Sequence, residues 1–177
     1  YKWLMYDSVV RVPLIVWDTR HRVPRRSDSL VSLVDIGPTL LEAVGIEAPP
    51  YLDGKSFMNI VRGESDKHRD HVICEDNYLT MIRNHKYKLV YYTEQEHDGE
   101  LYDLERDPNE LNNLFHNADY DDVKQQLQTE LFHYLLRSTY KNSMYKNRGP
   151  EEEWLRPQDS AYLHPITKIN PEGWYNR

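Results

Sequence analysis

Four short runs rich in Val, Ile and Tyr follow one another in the middle of the chain, and they constrain the fold more than any other feature. The runs cover residues 71–75, 79–83, 86–92 and 100–104. Turn residues separate them, namely Asn84 with His85 and Asp98 with Gly99. Short apolar runs joined by such turns are typical of antiparallel hairpins. The sequence therefore predicts a small sheet of four antiparallel strands.

A helix with one apolar face is predicted to follow this sheet. Pro108 ends the last strand, and Asp121 or Asp122 begins the helix. Apolar residues then recur at i, i+4, i+8, i+11 and i+12, namely Val123, Leu127, Leu131, Tyr134 and Leu135. A stripe with this spacing lies along one side of an α-helix and is expected to cover one face of the sheet. Residues 64–138 are thus predicted to form an α+β subdomain of four antiparallel strands and one helix.

The first third of the chain has a different pattern. Residues 9–17 are rich in Val and Ile, with almost no polar alternation after Arg11, which predicts a strand buried on both faces in a parallel sheet. Arg11 would then need a carboxylate partner, because an unpaired buried charge costs several kcal/mol. Farther along, Asp35 is predicted to cap a helix, with Pro38 in its first turn and Gly45 just after its end. Strand, loop and helix in this order indicate an α/β unit.

Two boundaries divide the chain. Residues 64–69 are charged and lack apolar periodicity, so we place a boundary between residues 1–63 and the α+β subdomain there. In residues 139–177 the apolar periodicity of helices and strands ends, while prolines and aromatic residues recur. This composition predicts an extended arm wrapped over a larger body. A disordered tail is the alternative. The chain opens with Tyr1, not Met, in sequence that already forms structure, so we expect a C-terminal piece of a longer protein.

Charge and composition exclude several classes of partner. The formal net charge is −7 and the acidic excess lies beyond residue 62, which argues against a nucleic-acid-binding surface. No apolar run is long enough to span a membrane. The basic cluster of residues 20–26 is predicted to be a solvated loop, with local attraction of an anionic ligand as the alternative. A single cysteine, Cys74, excludes an internal disulfide.

The residues alone predict no self-contained catalytic site. The chain has no Gly-rich phosphate loop, no His-Glu-x-x-His motif and no nucleophile elbow. His68 and His71 offer two imidazoles, but no third ligand stands near them in the sequence, whereas zinc prefers three or four. We therefore predict no metal site within this chain.

Several separate stretches resemble segments of the sulfatase family. Residues 2–13 read KWLMYDSVVRVP, similar to the family pattern Lys-x-x-x-Tyr-Glu-x-x-x-Arg-Val-Pro. The other stretches are 35–41 (DIGPTLL), 53–56 (DGKS), 81–88 (MIRNHKYK) and 100–110 (ELYDLERDPNE). Each motif is weak alone, but together they keep the order of the family over residues 2–113. The chain is identified on this basis as a member of the sulfatase family, of its C-terminal portion.

This resemblance implies a fold shared with alkaline phosphatase. Residues 1–63 would then be the end of a central α/β domain with a mixed sheet and flanking helices, and residues 64–138 an α+β annex. In that family a formylglycine attacks the sulfate sulfur and a Ca²⁺ ion binds the sulfate oxygens. The residues that supply both lie N-terminal to the Lys2 segment, so we expect neither in this chain. Cys74 lacks the Pro and Arg that surround the modified residue.

Only Lys2 matches a member of the family's catalytic set. An ammonium there would hold a sulfate oxygen and stabilise charge that develops on the ester oxygen. The alternative is a surface lysine near the end of the chain. Tyr6, Asp7 and Arg11 match the same pattern, and we assign them structural roles.

The turn between the first two predicted strands is a second candidate. In sulfatase-like folds the annex leans over the cleft, so Asn77 and Tyr78 are candidates for contact with the sugar or aryl part of a substrate. A plain turn is the alternative. The hairpin tip of residues 93–99, with His97, is a less specific candidate of the same kind.

Taken together, these patterns predict the C-terminal part of a sulfuric ester hydrolase, inactive as this fragment alone. Its partners would be a small sulfated substrate, preferably a carbohydrate, and the remainder of its own parent chain. A phosphomonoester, phosphodiester or phosphonate hydrolase of the same superfamily is the first alternative. A non-catalytic module that binds anionic glycans is the second. The habit of the family indicates a periplasmic, secreted or lysosomal location.

Overall fold

The computed structural model describes residues 4–20, 24–94 and 98–146. In the first part, α1 (Asp7–Val10) is followed by a 3-10 turn (Leu33–Asp35), α2 (Ile36–Ala43) and α3 (Met58–Arg62). The strands are β1 (Val72–Glu75), β2 (Leu79–Arg83), β3 (Tyr87–Tyr92) and β4 (Gly99–Asp103). A 3-10 turn (Ala118–Tyr120) then leads into α4 (Asp121–Lys146).

The four strands form one antiparallel sheet in the order β1-β2-β3-β4, as the sequence predicts. The register places Met81 of β2 opposite Val90 of β3, and Val90 opposite Glu100 of β4. Residues that lie directly opposite each other on paired strands point to the same side, so these three residues share one face of the sheet.

Helix α4 covers the other face. Ile82, Leu89 and Leu101 from the sheet are fully buried in one core cluster with Leu127 and Leu131 from the helix. Val123 and Leu135 pack against the same cluster. Four of the five predicted stripe residues thus contact the sheet face, and the predicted annex of four strands and one helix is confirmed.

The segment before and within α1 lies on the opposite face of the sheet. Here residues 4–10 are called the N-terminal segment. Its Met5 is buried in a second cluster with Leu79, Met81 and Val90. This cluster is small, and the same sheet face also carries charged residues, which form the site described below.

The predicted buried strand over residues 9–17 is wrong. Residues 7–10 form α1, and the following residues have no regular secondary structure. Ile15 is 90% and Trp17 86% exposed. A strand needs a neighbour to accept and donate its backbone hydrogen bonds, and within the described residues the four strands pair only with one another. Arg11 is exposed as well, so it does not need the carboxylate partner that burial would require, although its charge acts on Asp7.

The predicted helix after residue 35 is confirmed. Pro38 lies in its first turn, and Gly45 follows its end with a φ of 77°. The amide of Ile46 donates to the Leu41 carbonyl at 2.9 Å, which closes the helix as a Schellman motif does. Asp35 precedes α2, but its side chain does not cap the helix. Its carboxylate has other partners, described below.

A close backbone contact fixes the Asp-Gly-Lys-Ser turn against the start of α2. A Cβ atom at Gly54 would lie 1.9 Å from the Val34 carbonyl oxygen, so only glycine fits this position. The contact explains why the turn needs a glycine at this point and not merely a flexible residue.

The division into residues 1–63, 64–138 and 139–177 stays a prediction. An isolated antiparallel bridge joins Leu30 to Arg69 across the first boundary. Helix α4 continues to Lys146, so the first part of the predicted extended arm is helical. Residues 147–177, the rest of that arm, lie outside the described residues. In the part that the structure describes, no helix has the length and apolarity needed to cross a membrane.

Candidate functional site

A buried lysine lies at the centre of the N-terminal segment's contact with the sheet. Lys88 of β3 has no exposed surface. Its Nζ donates to the Met5 carbonyl at 3.0 Å, to Asp7 Oδ1 at 2.5 Å and to Glu110 Oε1 at 2.5 Å. An ammonium has three hydrogens, so each of them has an acceptor. The cluster of Lys88, Asp7, Glu110 and Arg83 is called the Lys88 cluster below.

Asp7 is held from both its main chain and its side chain. Its amide donates to Glu110 Oε2 at 2.7 Å, and its Oδ2 accepts from Arg83 Nη2 at 3.2 Å. Burial alone would raise the pKa of Asp7, but the hydrogen bond and charge of Lys88, with the charges of Arg83 and Arg11, lower it below the ordinary 3.8. The carboxylate is therefore ionised at neutral pH and pairs with both cations. The structural role predicted for Asp7 fits this geometry.

Glu110 reaches the cluster from a strained loop position. Its φ of 56° is left-handed, which costs a residue with a β-carbon about 1–2 kcal/mol. The residue is nonetheless buried, and its carboxylate bridges Lys88 and the Asp7 amide. The hydrogen bonds to an ammonium offset that backbone strain.

A second polar group occupies the same sheet face beside the Lys88 cluster. The buried Glu100 carboxylate accepts hydrogen bonds from the hydroxyls of Tyr92 and Tyr102. Burial, and then contact with Glu100, raise the pKa of Tyr92; burial, and then Tyr6 and Glu100, raise that of Tyr102. Both hydroxyls therefore stay protonated and donate. Tyr6 of the N-terminal segment packs on Tyr102 with the ring centroids 6.1 Å apart.

The N-terminal segment contacts both a charged group and an apolar group on this face of the sheet. Asp7 contacts Arg83 and Lys88, which lie opposite each other near the β2–β3 turn. Met5 packs in the cluster that includes Leu79, the first residue of β2. Leu79 directly follows the β1–β2 turn, and Val10, at the other end of the segment, packs against the same cluster as Met5.

The predicted substrate contacts lie in that turn. Asn77 and Tyr78 are exposed, Tyr78 to 41%. The carbonyl of Tyr78 accepts from the Thr93 amide at 2.9 Å, and that of Asn77 from the Thr93 hydroxyl at 3.1 Å. The main chain of the turn is thus braced by the neighbouring hairpin while both side chains are accessible. Lys2 and His97 lie outside the described residues.

Asp35 forms a second buried ionic centre, between α2 and the start of the sheet. It has no exposed surface and accepts from the Ser32 amide at 2.9 Å, the Lys55 amide at 2.7 Å and Arg69 Nε at 2.8 Å. His68 Nε2 lies 3.1 Å from the same carboxylate. Burial alone would raise the pKa of Asp35, but Arg69 and the two amides lower it. The prediction that Asp35 caps α2 is therefore wrong, because these partners occupy its side chain.

The two imidazoles considered as metal ligands have different partners. His68 faces Asp35, whereas His71 Nδ1 lies 3.6 Å from Glu130 of α4. Among the described residues no group of three or more His, Cys, Asp and Glu side chains could hold a metal ion. Cys74 is half-buried in β1, and burial raises the pKa of its thiol.

The sequence patterns do not single out Lys88, Glu110 or Glu100 as site residues. One signal was available for Lys88. In hairpin register it stands opposite Arg83, on the face that carries Met81 and Val90. Two cations opposite each other on a half-apolar face repel unless carboxylates join them. No comparable local signal marks Glu110, because its contacts to Lys88 and Asp7 join distant parts of the chain.

Comparison with known proteins identifies the family of this chain. The family model of the N-sulphoglucosamine sulphohydrolase C-terminal region matches residues 1–136. An N-acetylglucosamine-6-O-sulfatase of Bacteroides thetaiotaomicron is 28% identical over 165 residues, which cover 86% of this chain and 28% of that protein. The chain thus spans little more than a quarter of that curated relative's length.

Two solved structures share the fold. A crystal structure of a putative sulfatase from Bacteroides thetaiotaomicron aligns with a TM-score of 0.52 and 27% identity, over 69% of this chain and 28% of that one. A phosphonate monoester hydrolase of Agrobacterium radiobacter aligns with a TM-score of 0.50 and 26% identity, over 59% of this chain and 24% of that one. With most of its length matched by the family model, this chain belongs to the N-sulphoglucosamine sulphohydrolase C-terminal family, and its predicted place in the C-terminal portion of the sulfatases is confirmed.

Proposed function

We propose that this chain is the C-terminal part of a hydrolase that cleaves a sulfate ester. Below, the parent protein means the proposed longer polypeptide, similar in length to the relatives, that contains this chain. The observation that carries the proposal is the family match over residues 1–136. The anchored N-terminal segment supports it, because residues 4–10 belong to the motif of residues 2–13 that begins with Lys2.

In this proposal Lys2 meets a sulfate oxygen. Lys2 precedes the buried Met5 by three residues, which span at most about 11 Å. We place the site at the end of the sheet formed by the turn of Asn77 and Tyr78, because Met5 packs in the cluster that includes Leu79, the residue that follows this turn. The ammonium of Lys2 would bind the anion as a compact charge and stabilise the leaving ester oxygen.

The proposed substrate is a sulfated carbohydrate. The name of the Bacteroides relative states a sulfated amino sugar as its substrate. The Tyr78 ring offers an apolar surface with a polar tip, and the Asn77 amide both donates and accepts. Such groups suit a sugar ring with its hydroxyls. We assign them to the rim of the site and not to the chemistry.

The rest of the catalytic machinery is proposed to come from outside these residues. A Ca²⁺ ion and a formylglycine would supply charge neutralisation and the nucleophile, held by residues N-terminal to Lys2. The exposed apolar stretch of residues 12–17 supports the view that more polypeptide packs here, because exposed apolar patches mark interaction surfaces. The 177 residues alone are then expected to be inactive.

Two described arginines of the basic cluster, Arg20 and Arg25, give little support to the glycan-binding alternative. Arg20 pairs with Asp18 at 2.8 Å and also donates to the Ala43 carbonyl. Arg25 pairs with Asp66. Each guanidinium is thus already joined to a carboxylate of this chain, which weakens its attraction for an external anion.

A phosphonate or phosphate ester hydrolase remains the second candidate, because the Agrobacterium enzyme shares the fold. The relative rates of hydrolysis of sulfate and phosphorus esters distinguish the two candidate functions. We expect the parent protein to hydrolyse p-nitrophenyl sulfate with a kcat/KM at least about 100-fold above those for p-nitrophenyl phosphate and p-nitrophenyl phenylphosphonate. The isolated 177-residue chain is the control and should give no turnover. A preference for either phosphorus ester would replace the proposal by the second candidate.

A further inference from the structure

We infer that Lys88 is a positioning residue for Lys2, because its buried ammonium fixes the main chain of the N-terminal segment just after Lys2. The inference rests on the proposed function, in which the place of Lys2 decides how well it meets the sulfate. Lys88 itself is fully buried, so we assign it no contact with the substrate.

The geometry of the contact supports a positioning role. Lys88 Nζ holds the carbonyl of Met5, and Glu110 Oε2 holds the amide of Asp7. These two main-chain contacts lie on either side of Tyr6. They fix both the position and the direction of the chain at this point, whereas a side-chain contact alone would leave the main chain free to turn.

The charge of Lys88 is better explained by positioning than by stability. Removing an ammonium and its carboxylates from water costs several kcal/mol, and a well-packed apolar side chain often stabilises such a place equally well or better. What an apolar side chain lacks is a directed donor for the Met5 carbonyl. The Lys88 ammonium supplies that donor and joins it to Asp7 and Glu110 in one arrangement.

The distance along the chain makes the effect local. Lys2 is three residues from Met5, so little chain lies between the contact and the proposed catalytic ammonium. A misplacement of about 1 Å can cost about 100-fold in rate. Loosening Met5 is therefore expected to lower kcat while the substrate contacts at Asn77 and Tyr78 stay in place.

The test uses variants of the parent protein. Lys88→Met removes the ammonium. The double variant Lys88→Met with Glu110→Gln also removes the charge of Glu110, so that the negative charge of Asp7 is still balanced by the positive charge of Arg83. Lys86→Met is the matched control, because Lys86 is a partly exposed lysine of the adjoining turn that pairs with Glu105 at 3.2 Å. Amide hydrogen exchange is measured in residues 4–10 and in β2 and β3, together with kcat and KM for p-nitrophenyl sulfate.

In the double variant we expect residues 4–10 to exchange at least about tenfold faster, while β2 and β3 keep the rates of the unmodified protein. The kcat should fall about 10- to 100-fold, with KM changed by less than about threefold. Lys86→Met should change neither. Unaltered exchange in residues 4–10, or an unaltered kcat in a folded variant, would overturn the inference.

If neither Lys88 variant folds, amide hydrogen exchange of the unmodified protein tests the inference. The inference predicts that the Asp7 amide exchanges as slowly as the amides of β3, and exchange as fast as that of the exposed Ile15 would contradict it. Absence of sulfate turnover in the unmodified protein overturns the proposed function and this inference with it. Normal turnover with a loosened segment overturns this inference alone.

Discussion

Replacing Lys2 by alanine in the parent protein should lower kcat for a sulfate ester by roughly 100- to 1,000-fold, the usual loss when one donor to a developing negative charge is removed. The charge on the leaving oxygen grows mainly in the transition state, so KM should change less than kcat. Steady-state kinetics on p-nitrophenyl sulfate measure both constants.

Two further variants sharpen this result. Lys2→Arg keeps the charge but not the compact ammonium, and should recover only part of the rate. Lys67→Ala is the matched control, because Lys67 is 75% exposed and pairs with Asp70 on the surface. A Lys2→Ala protein as active as the Lys67→Ala protein would show that the lysine near the chain start has no part in the reaction.

Replacing Asp35 by alanine should cause the largest loss of stability, about 3–5 kcal/mol, because it leaves the Arg69 cation partly buried without its partner. The amides of Ser32 and Lys55 lose their acceptor at the same time. Thermal unfolding of the parent protein, followed by circular dichroism, should show a lower midpoint. Asp70→Ala is the control, because Asp70 is 76% exposed and its loss should cost less than about 1 kcal/mol.

The pH dependence of the same midpoint gives an independent check. The folded pKa of Asp35 is below the ordinary value of 3.8. A carboxyl with a lowered pKa contributes its full stability above the unfolded pKa and loses it as the pH falls through the folded value. The difference in unfolding midpoint between the unmodified and Asp35→Ala proteins should therefore be constant above about pH 5 and shrink below pH 3.8. An Asp35→Ala protein with an unmodified midpoint at neutral pH would contradict the assigned role.

The annex was predictable because its signals are local. The strands from Val72 to Asp103 have a period of two and turn residues between them, and the stripe at Leu127 and Leu131 has the helical period. Each hairpin pairs neighbours in sequence, so no distant contact is needed to specify it. The Schellman end at Gly45 is local in the same sense.

The errors arose where the structure depends on distant residues. The apolar run over residues 9–17 has the composition of a buried strand, but composition does not tell whether a pairing partner is present. Asp35 has the residue type and position of a helix cap, yet Arg69 and His68, more than thirty residues away, occupy its carboxylate. The long-range ion pair with Arg69 therefore determines the position of the Asp35 side chain, and not the local preference of Asp for a helix cap.

The candidate site divides in the same way. Lys2 was singled out only through a family resemblance, and Asn77 and Tyr78 through their place in a turn, which lies exposed in the structure. The Lys88 cluster joins residues separated by up to 103 positions. No window of sequence contains such a cluster, although the pairing of Lys88 with Arg83 in register gives a partial signal.

The most direct test of the central claim is a crystal structure of the parent protein with inorganic sulfate bound. The account predicts that the Lys2 Nζ lies within about 3 Å of a sulfate oxygen, a distance typical of a charge-assisted hydrogen bond. It also predicts that the anion lies at the end of the sheet formed by the Asn77–Tyr78 turn. A Lys2 side chain directed into bulk solvent, or a sulfate bound in a cleft remote from this end of the sheet, would contradict it.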